Sequence, residues 1–120
     1  MSEDNLRAAR ILARSGQYRS AATRSYYSAY CAITEEIRKH ITVFPYGWNN
    51  PPHLRVTNYI YNNTTLSPVK KSNIALLIDT LRLFREDADY RPSEDIDFDR
   101  AKDCIRDAMQ VQIELWGYCV

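Results

Sequence analysis

Tyr18, Ala22, Ser25, Tyr26, Ala29, Ile33 and Ile37 recur at the three- and four-residue spacing of one helical face, sustained over about five turns. A run of this length commits the chain to packing helix against helix. Ala21, Ala22, Ser25 and Ala29 lie on or beside that face and are small enough to let a neighbouring helix approach closely. The pattern frays near His40, where β-branched residues and Pro45 follow. Three glycines and five prolines among 120 residues argue against a turn-rich β-sandwich or barrel. With 45% hydrophobic and 26% charged residues the chain is globular. Its length and lack of repeats or linkers predict a single domain over residues 1–120.

Four further segments read as helices. The first is expected to start after Ser2 as N-cap, with Glu3 and Asp4 in its first turn, and to stop at Gly16. Asn50 before Pro51-Pro52 reads as the cap of a short third helix running to about Tyr61. Ser67-Pro68 repeats that signal for a fourth, on which Ile74, Leu77, Ile78, Leu81, Phe84 and Ala88 form an apolar stripe ending at Pro92. Asp95 or Asp97 caps a fifth, with Phe98, Ala101, Ile105, Ala108, Gln112, Leu115 and Trp116 along one side. The expected architecture is all-α, an antiparallel bundle of about five helices. Phe44, Tyr46 and Trp48, alternating around Pro45 and Gly47, read as a loop whose aromatics lid the bundle.

Charge is unevenly spread. Residues 1–84 carry 11 Lys+Arg against 5 Asp+Glu, and residues 85–120 carry 5 against 10. Such a split attracts an anionic partner to one end or draws the two ends of a bundle together, and the second is the expectation. The apolar run Ile74–Ile78 is far shorter than the roughly 20 residues of a membrane span. Nothing at the N-terminus resembles a signal peptide, so a cytoplasmic address is expected. Cys31, Cys104 and Cys119 show no metal or disulfide spacing and are expected to be small buried hydrophobes. No cofactor and no metal site is indicated.

Arg85 is the most informative residue. On a helical wheel it falls at the edge of the stripe set by Ile74, Ile78, Leu81 and Ala88, where a charge is costly unless paired. Asp89, four residues on, is placed to pair with it. The pair reads either as a bridge orienting the helix or as an arginine held at a cleft mouth to bind phosphate, with Asp89 fixing its orientation. Leu76, Leu83 and Tyr90 form a second row away from the core, to be covered by another helix or a second subunit. Tyr26, Tyr27 and Tyr30 read first as core, and Arg7, Arg10, Arg14, Arg19 and Arg24 as a solvated basic face, with contact to nucleic-acid phosphates as the alternative.

Tyr18 to Tyr30, with Ala21-Ala22 and Ser25-Tyr26-Tyr27, resembles the second-helix signature of the HEPN domain (higher eukaryotes and prokaryotes nucleotide-binding). His53 matches the histidine that often precedes the third helix of that family. Leu81 to Tyr90 is similar to the R-N-x-A-D-Y stretch of one prokaryotic branch. The resemblance spans roughly residues 6 to 116. It implies a helical bundle that commonly dimerises, with an arginine-lined cleft between subunits. Many members are metal-independent ribonucleases of toxin–antitoxin, phage-defence or RNA-processing systems, and share an Arg-x4–6-His motif. Counted from Arg85, that histidine would fall on Tyr90, Arg91 or Pro92, and the polar residue that usually follows the arginine is Glu86. Tyr90, with an ordinary pKa of about 10, is a poor general base.

The resemblance therefore implies a nucleotide- or RNA-binding module of a toxin–antitoxin or defence type, with weak or no nuclease activity and no assigned catalytic group. Arg85, Asp89 and Tyr90 would meet the phosphate, with Tyr26, Tyr27, Tyr30 and His53 in the cleft. The expected partner is a second copy. The alternatives are a non-catalytic subunit docking a nucleotidyltransferase-like protein, and a ribonuclease that uses Tyr90 or His53 in place of the missing group.

Overall fold

The computed structural model describes residues 1–47, 50–92 and 95–120. Five helices follow one another: α1 (Ser2–Arg14), α2 (Tyr18–Arg38), α3 (Val56–Asn62), α4 (Pro68–Tyr90) and α5 (Phe98–Trp116). Among the described residues there is no strand. α2 is the central helix and packs against α1, α4 and α5, with α3 set against α4 and the side of α2. Around it gather Leu6, Ile33, Ile37, Val56, Ile60, Ile74, Ile78, Leu81, Cys104, Ala108 and Val111. Each buried Leu, Ile or Val contributes roughly 1.5–3 kcal/mol. Ala21, Ala22, Ser25, Ser28, Ala29 and Ala32 are fully buried on α2, so its neighbours approach close to its backbone.

Two caps form as the sequence predicts. The Ser67 hydroxyl accepts the Lys70 amide at α4, and Asp97 Oδ1 accepts the Arg100 amide at α5. α5 ends on Gly117 in the left-handed conformation, φ 81°. The other two start signals fail. Ser2 lies inside α1 and caps nothing. Buried, it donates from Oγ to the Ser28 carbonyl at 2.7 Å, while Ser28 Oγ donates to the Ser2 carbonyl at 2.8 Å. Gln112 Nε2 of α5 donates to Ser2 Oγ at 3.1 Å and approaches Ser28 Oγ at 3.5 Å, and its Oε1 accepts the Val120 amide. Three helices are thus joined by a buried polar knot. Asn50 does not start the third helix either: Pro52 is extended (φ −59°, ψ 139°), a 3-10 turn fills His53–Arg55, and α3 begins only at Val56. A residue before proline is driven out of the helical region, so Pro51-Pro52 delays the start.

Phe44 is buried and meets Tyr59 edge-on at 5.4 Å. Tyr46 adopts φ 59° and stands exposed, so it does not lid the bundle. Trp48 lies outside the described residues. Leu76, Leu83 and Tyr90 are exposed (70%, 53% and 66%), so no helix of this chain covers that row. Of the cysteines, Cys104 is buried, while Cys31 and Cys119 are half-exposed. Across the two halves of the charge split the described residues form one ion pair, Arg82–Glu86 on α4. Among the described residues every ion pair joins side chains three or four positions apart in sequence except Arg100–Asp87, which joins α5 to α4 inside the acidic segment.

Candidate functional site

Where the first half of α2 passes the last turns of α4, a cleft of about 660 Å³ opens between Arg19, Ser20, Thr23, Arg24 and Tyr27 on one wall and Ala88, Asp89 and Tyr90 on the other. The size suits a small ligand. Arg19 closes its end. Its Nη1 donates to the carbonyls of Asp87 (3.2 Å), Ala88 (3.1 Å) and Arg91 (3.4 Å), and its Nη2 to that of Pro92 (3.0 Å). A cation here satisfies the orphan carbonyls and the negative dipole end of α4. The expectation of a solvated Arg19 is thereby corrected.

Arg85 lies directly behind this cleft, its side chain 16% exposed. Nε is 3.0 Å from Asp89 Oδ2, but at an angle that forms no hydrogen bond, so Nε is buried without an acceptor. Nη2 donates to the hydroxyl oxygens of Tyr27 and Tyr90, 3.2 Å each. The guanidinium also faces the rings of Tyr26, Tyr27 and Tyr90 at 5.7, 5.6 and 5.2 Å, within cation–π range. Burial works against its charge, yet Tyr27, Tyr90 and Asp89 outweigh it and hold its pKa above the usual value. Asp89 is itself occupied: Oδ1 accepts from Thr23 Oγ1 at 2.6 Å. Glu86, which would oppose an anion, is turned away to Arg82 at 2.9 Å.

Deeper in, Tyr26 Oη and His53 Nδ1 are hydrogen-bonded at 2.5 Å. Tyr26 is fully buried, and burial first of all pushes its phenol far above the ordinary range. The phenol keeps its proton and, with no other acceptor among the described residues, donates it to Nδ1. His53 is therefore neutral with its proton on Nε2. Burial and then the charge of Arg85 lower its pKa, which favours the same state. The ring stacks on Tyr30 at 4.2 Å, and Tyr30 donates to the Pro51 carbonyl at 2.6 Å.

The seven residues singled out in the sequence thus form one contiguous cluster, with Tyr27, Asp89 and Tyr90 at the cleft, Arg85 behind them, and Tyr26, Tyr30 and His53 as the packed base. Ser20, Thr23 and Arg24 were not anticipated as a wall. Their signal was present: with Tyr27 they make a polar row at i, i+3, i+4 and i+7 on α2. Among the described residues no three His, Cys, Asp or Glu side chains stand close enough to hold a metal ion. No helix among them is long and apolar enough to cross a membrane.

The chain is an all-α bundle with an arginine caged by tyrosines near the end of its fourth helix. The sequence model described as the HEPN domain matches residues 1–113, and the chain belongs to that family. HEPN domains are in general connected with nucleotides and RNA, and they often dimerise. None of the curated proteins and none of the solved structures matches the chain.

Proposed function

We propose that the cleft between α2 and α4 binds the phosphate of a nucleotide or of RNA. The observation that carries this reading is the half-buried Arg85 guanidinium set immediately behind an open cleft, its own acid already shared with Thr23. Arg19 and Arg24 both line the wall, so with Asp89 counted the surroundings remain positive. Arg85 is the electrostatic anchor, Asp89 orients it, and Tyr90 hydrogen-bonds at the cleft. The role is one of binding more than cleavage. No histidine follows Arg85 at the family spacing, Nδ1 of His53 is taken by Tyr26, and burial keeps the phenols of Tyr26 and Tyr30 protonated.

In this reading the protein is a homodimer of a toxin–antitoxin or defence type system, with Leu76 and Leu83 covered by the second copy and the Tyr90 ring at the edge of that surface, its hydroxyl left to the cleft. Three exposed apolar residues in a row on α4 favour that surface. A partner of nucleotidyltransferase type covering the same row is the second reading, favoured by the missing histidine. The test is titration of AMP and of a short single-stranded RNA into wild type and Arg85→Ala, with a cleavage assay in EDTA alongside. Loss of at least about ten-fold in affinity for the variant, without cleavage by wild type, is expected. Undiminished binding by Arg85→Ala overturns the proposal, and metal-independent cleavage lost in that variant makes the protein an enzyme instead.

A further inference from the structure

Arg85 is central to the cluster, yet it is absent from the cleft wall, while three of its partners stand there. The question is which atoms would touch an anion that entered. Nη2 of Arg85 has two protons, and they go to Tyr27 and Tyr90. Each phenol oxygen therefore accepts from a cation, and each keeps one O–H proton for which the described residues offer no acceptor. Both residues line the cleft. Donors already accepting from a charged group are polarised and become better donors. Asp89, the acid beside them, has one oxygen at Thr23 and the other at Arg85, and no hydrogen bond joins it to either phenol.

We propose that Tyr27 and Tyr90 are the paired donors that hold a phosphate oxygen in this cleft, with Arg85 acting through them as the positioning residue. The inference rests on the phosphate-binding reading above and adds Tyr27, read in the sequence mainly as core, as a ligand contact. It also gives Arg85 a distinct task. The guanidinium fixes two hydroxyls on different helices at one spot and charges their hydrogen bonds, so the anion is recognised by an α2–α4 pair. A phosphate monoester or diester fits this chemistry, because either presents unprotonated oxygens to two O–H donors.

The experiment compares wild type, Tyr27→Phe, Tyr90→Phe, the double variant and Arg85→Ala, titrated with AMP, inorganic phosphate and a short single-stranded RNA. Thermal unfolding is followed in each. Phenylalanine keeps the ring and removes only the hydroxyl. The expected result is a loss of about three-fold for each single variant and about ten-fold or more for the double, with the unfolding temperature little changed. Loss with AMP and phosphate assigns a terminal phosphate, and loss with RNA alone a diester. If Arg85→Ala loses affinity and the double variant stays within about two-fold of wild type, the paired-donor inference is wrong and the phosphate reading stands. If the double variant loses affinity and Arg85→Ala does not, Arg85 is not the positioning residue and the inference fails in that part. If no variant changes affinity, or wild type binds none of the three probes, both fall.

Discussion

Two polar clusters are built against α2, and they differ in whether their hydrogen bonds close. In the Ser2–Ser28–Gln112 knot each hydroxyl donates to the other residue's carbonyl, and the Gln112 amide supplies both donor and acceptor. Nothing is left over. In the Arg85 cluster Nε is buried without an acceptor and two phenol protons have no acceptor among the described residues. The first cluster is buried between packed helices, with Ser2 alone bordering an opening of about 540 Å³, and the second stands on the α2–α4 cleft with three of its side chains. Completeness marks a group that holds the fold, and surplus donors beside an opening mark a group built to meet something else.

That contrast can be broken by substitution. Gln112→Leu removes the donor to the Ser2 and Ser28 hydroxyls, which keep their bonds to each other's carbonyls, and leaves the Val120 amide without its acceptor; it should cost about 1–3 kcal/mol in urea unfolding, with ligand affinity unchanged. A loss of binding without a loss of stability would reverse the assignment of the two clusters. Arg19→Ala uncaps α4 and should cost about 1–2 kcal/mol. It also loosens one end of the cleft, so a fall in affinity accompanies it. Tyr27→Phe and Tyr90→Phe should each stay within about 0.5 kcal/mol of wild type. A larger destabilisation would mean that their hydroxyls belong to the closed kind.

A pH titration sharpens the same point at His53. Its pKa is lower in the fold than in the unfolded chain. Between the two values the unfolded state therefore binds more protons, and stability rises with pH. The contribution is complete above about pH 6.5 and is lost as pH falls below it. Protonated His53 would no longer accept from Tyr26. Unfolding midpoints measured from about pH 8 to pH 5 should fall, and His53→Gln, which cannot titrate, should flatten part of that slope. An unchanged slope in the variant would show that other groups carry it.

How far the sequence could be read follows from what each feature depends on. α2, α4 and α5 repeat their apolar residues over many turns, and Ser67 and Asp97 cap within their own helices, so local pattern sufficed. Ser2 and Asn50 looked like the same signal and were not. Ser2 is claimed by residues 26 and 110 positions away, and Asn50 accepts from Arg38 instead of capping a turn that consecutive prolines forbid. At the site, the wheel placed Arg85 and Asp89 together because both lie on one helix. It put Tyr90 on another face, yet as the last residue of α4 its ring reaches back over Arg85. The polar row of Thr23 and Tyr27 is legible on α2, but that this row and Arg19 face the end of α4 is set by tertiary packing.

The bonds from Arg19 run to the last turn of α4 and to Arg91 and Pro92 just beyond it. They tether the two helices at the mouth like a short strap, so the gap cannot widen there without tearing several contacts at once. A guest must be slim enough to enter as it stands, and one that prises the walls apart would unravel the final turn of α4, taking Tyr90 with it.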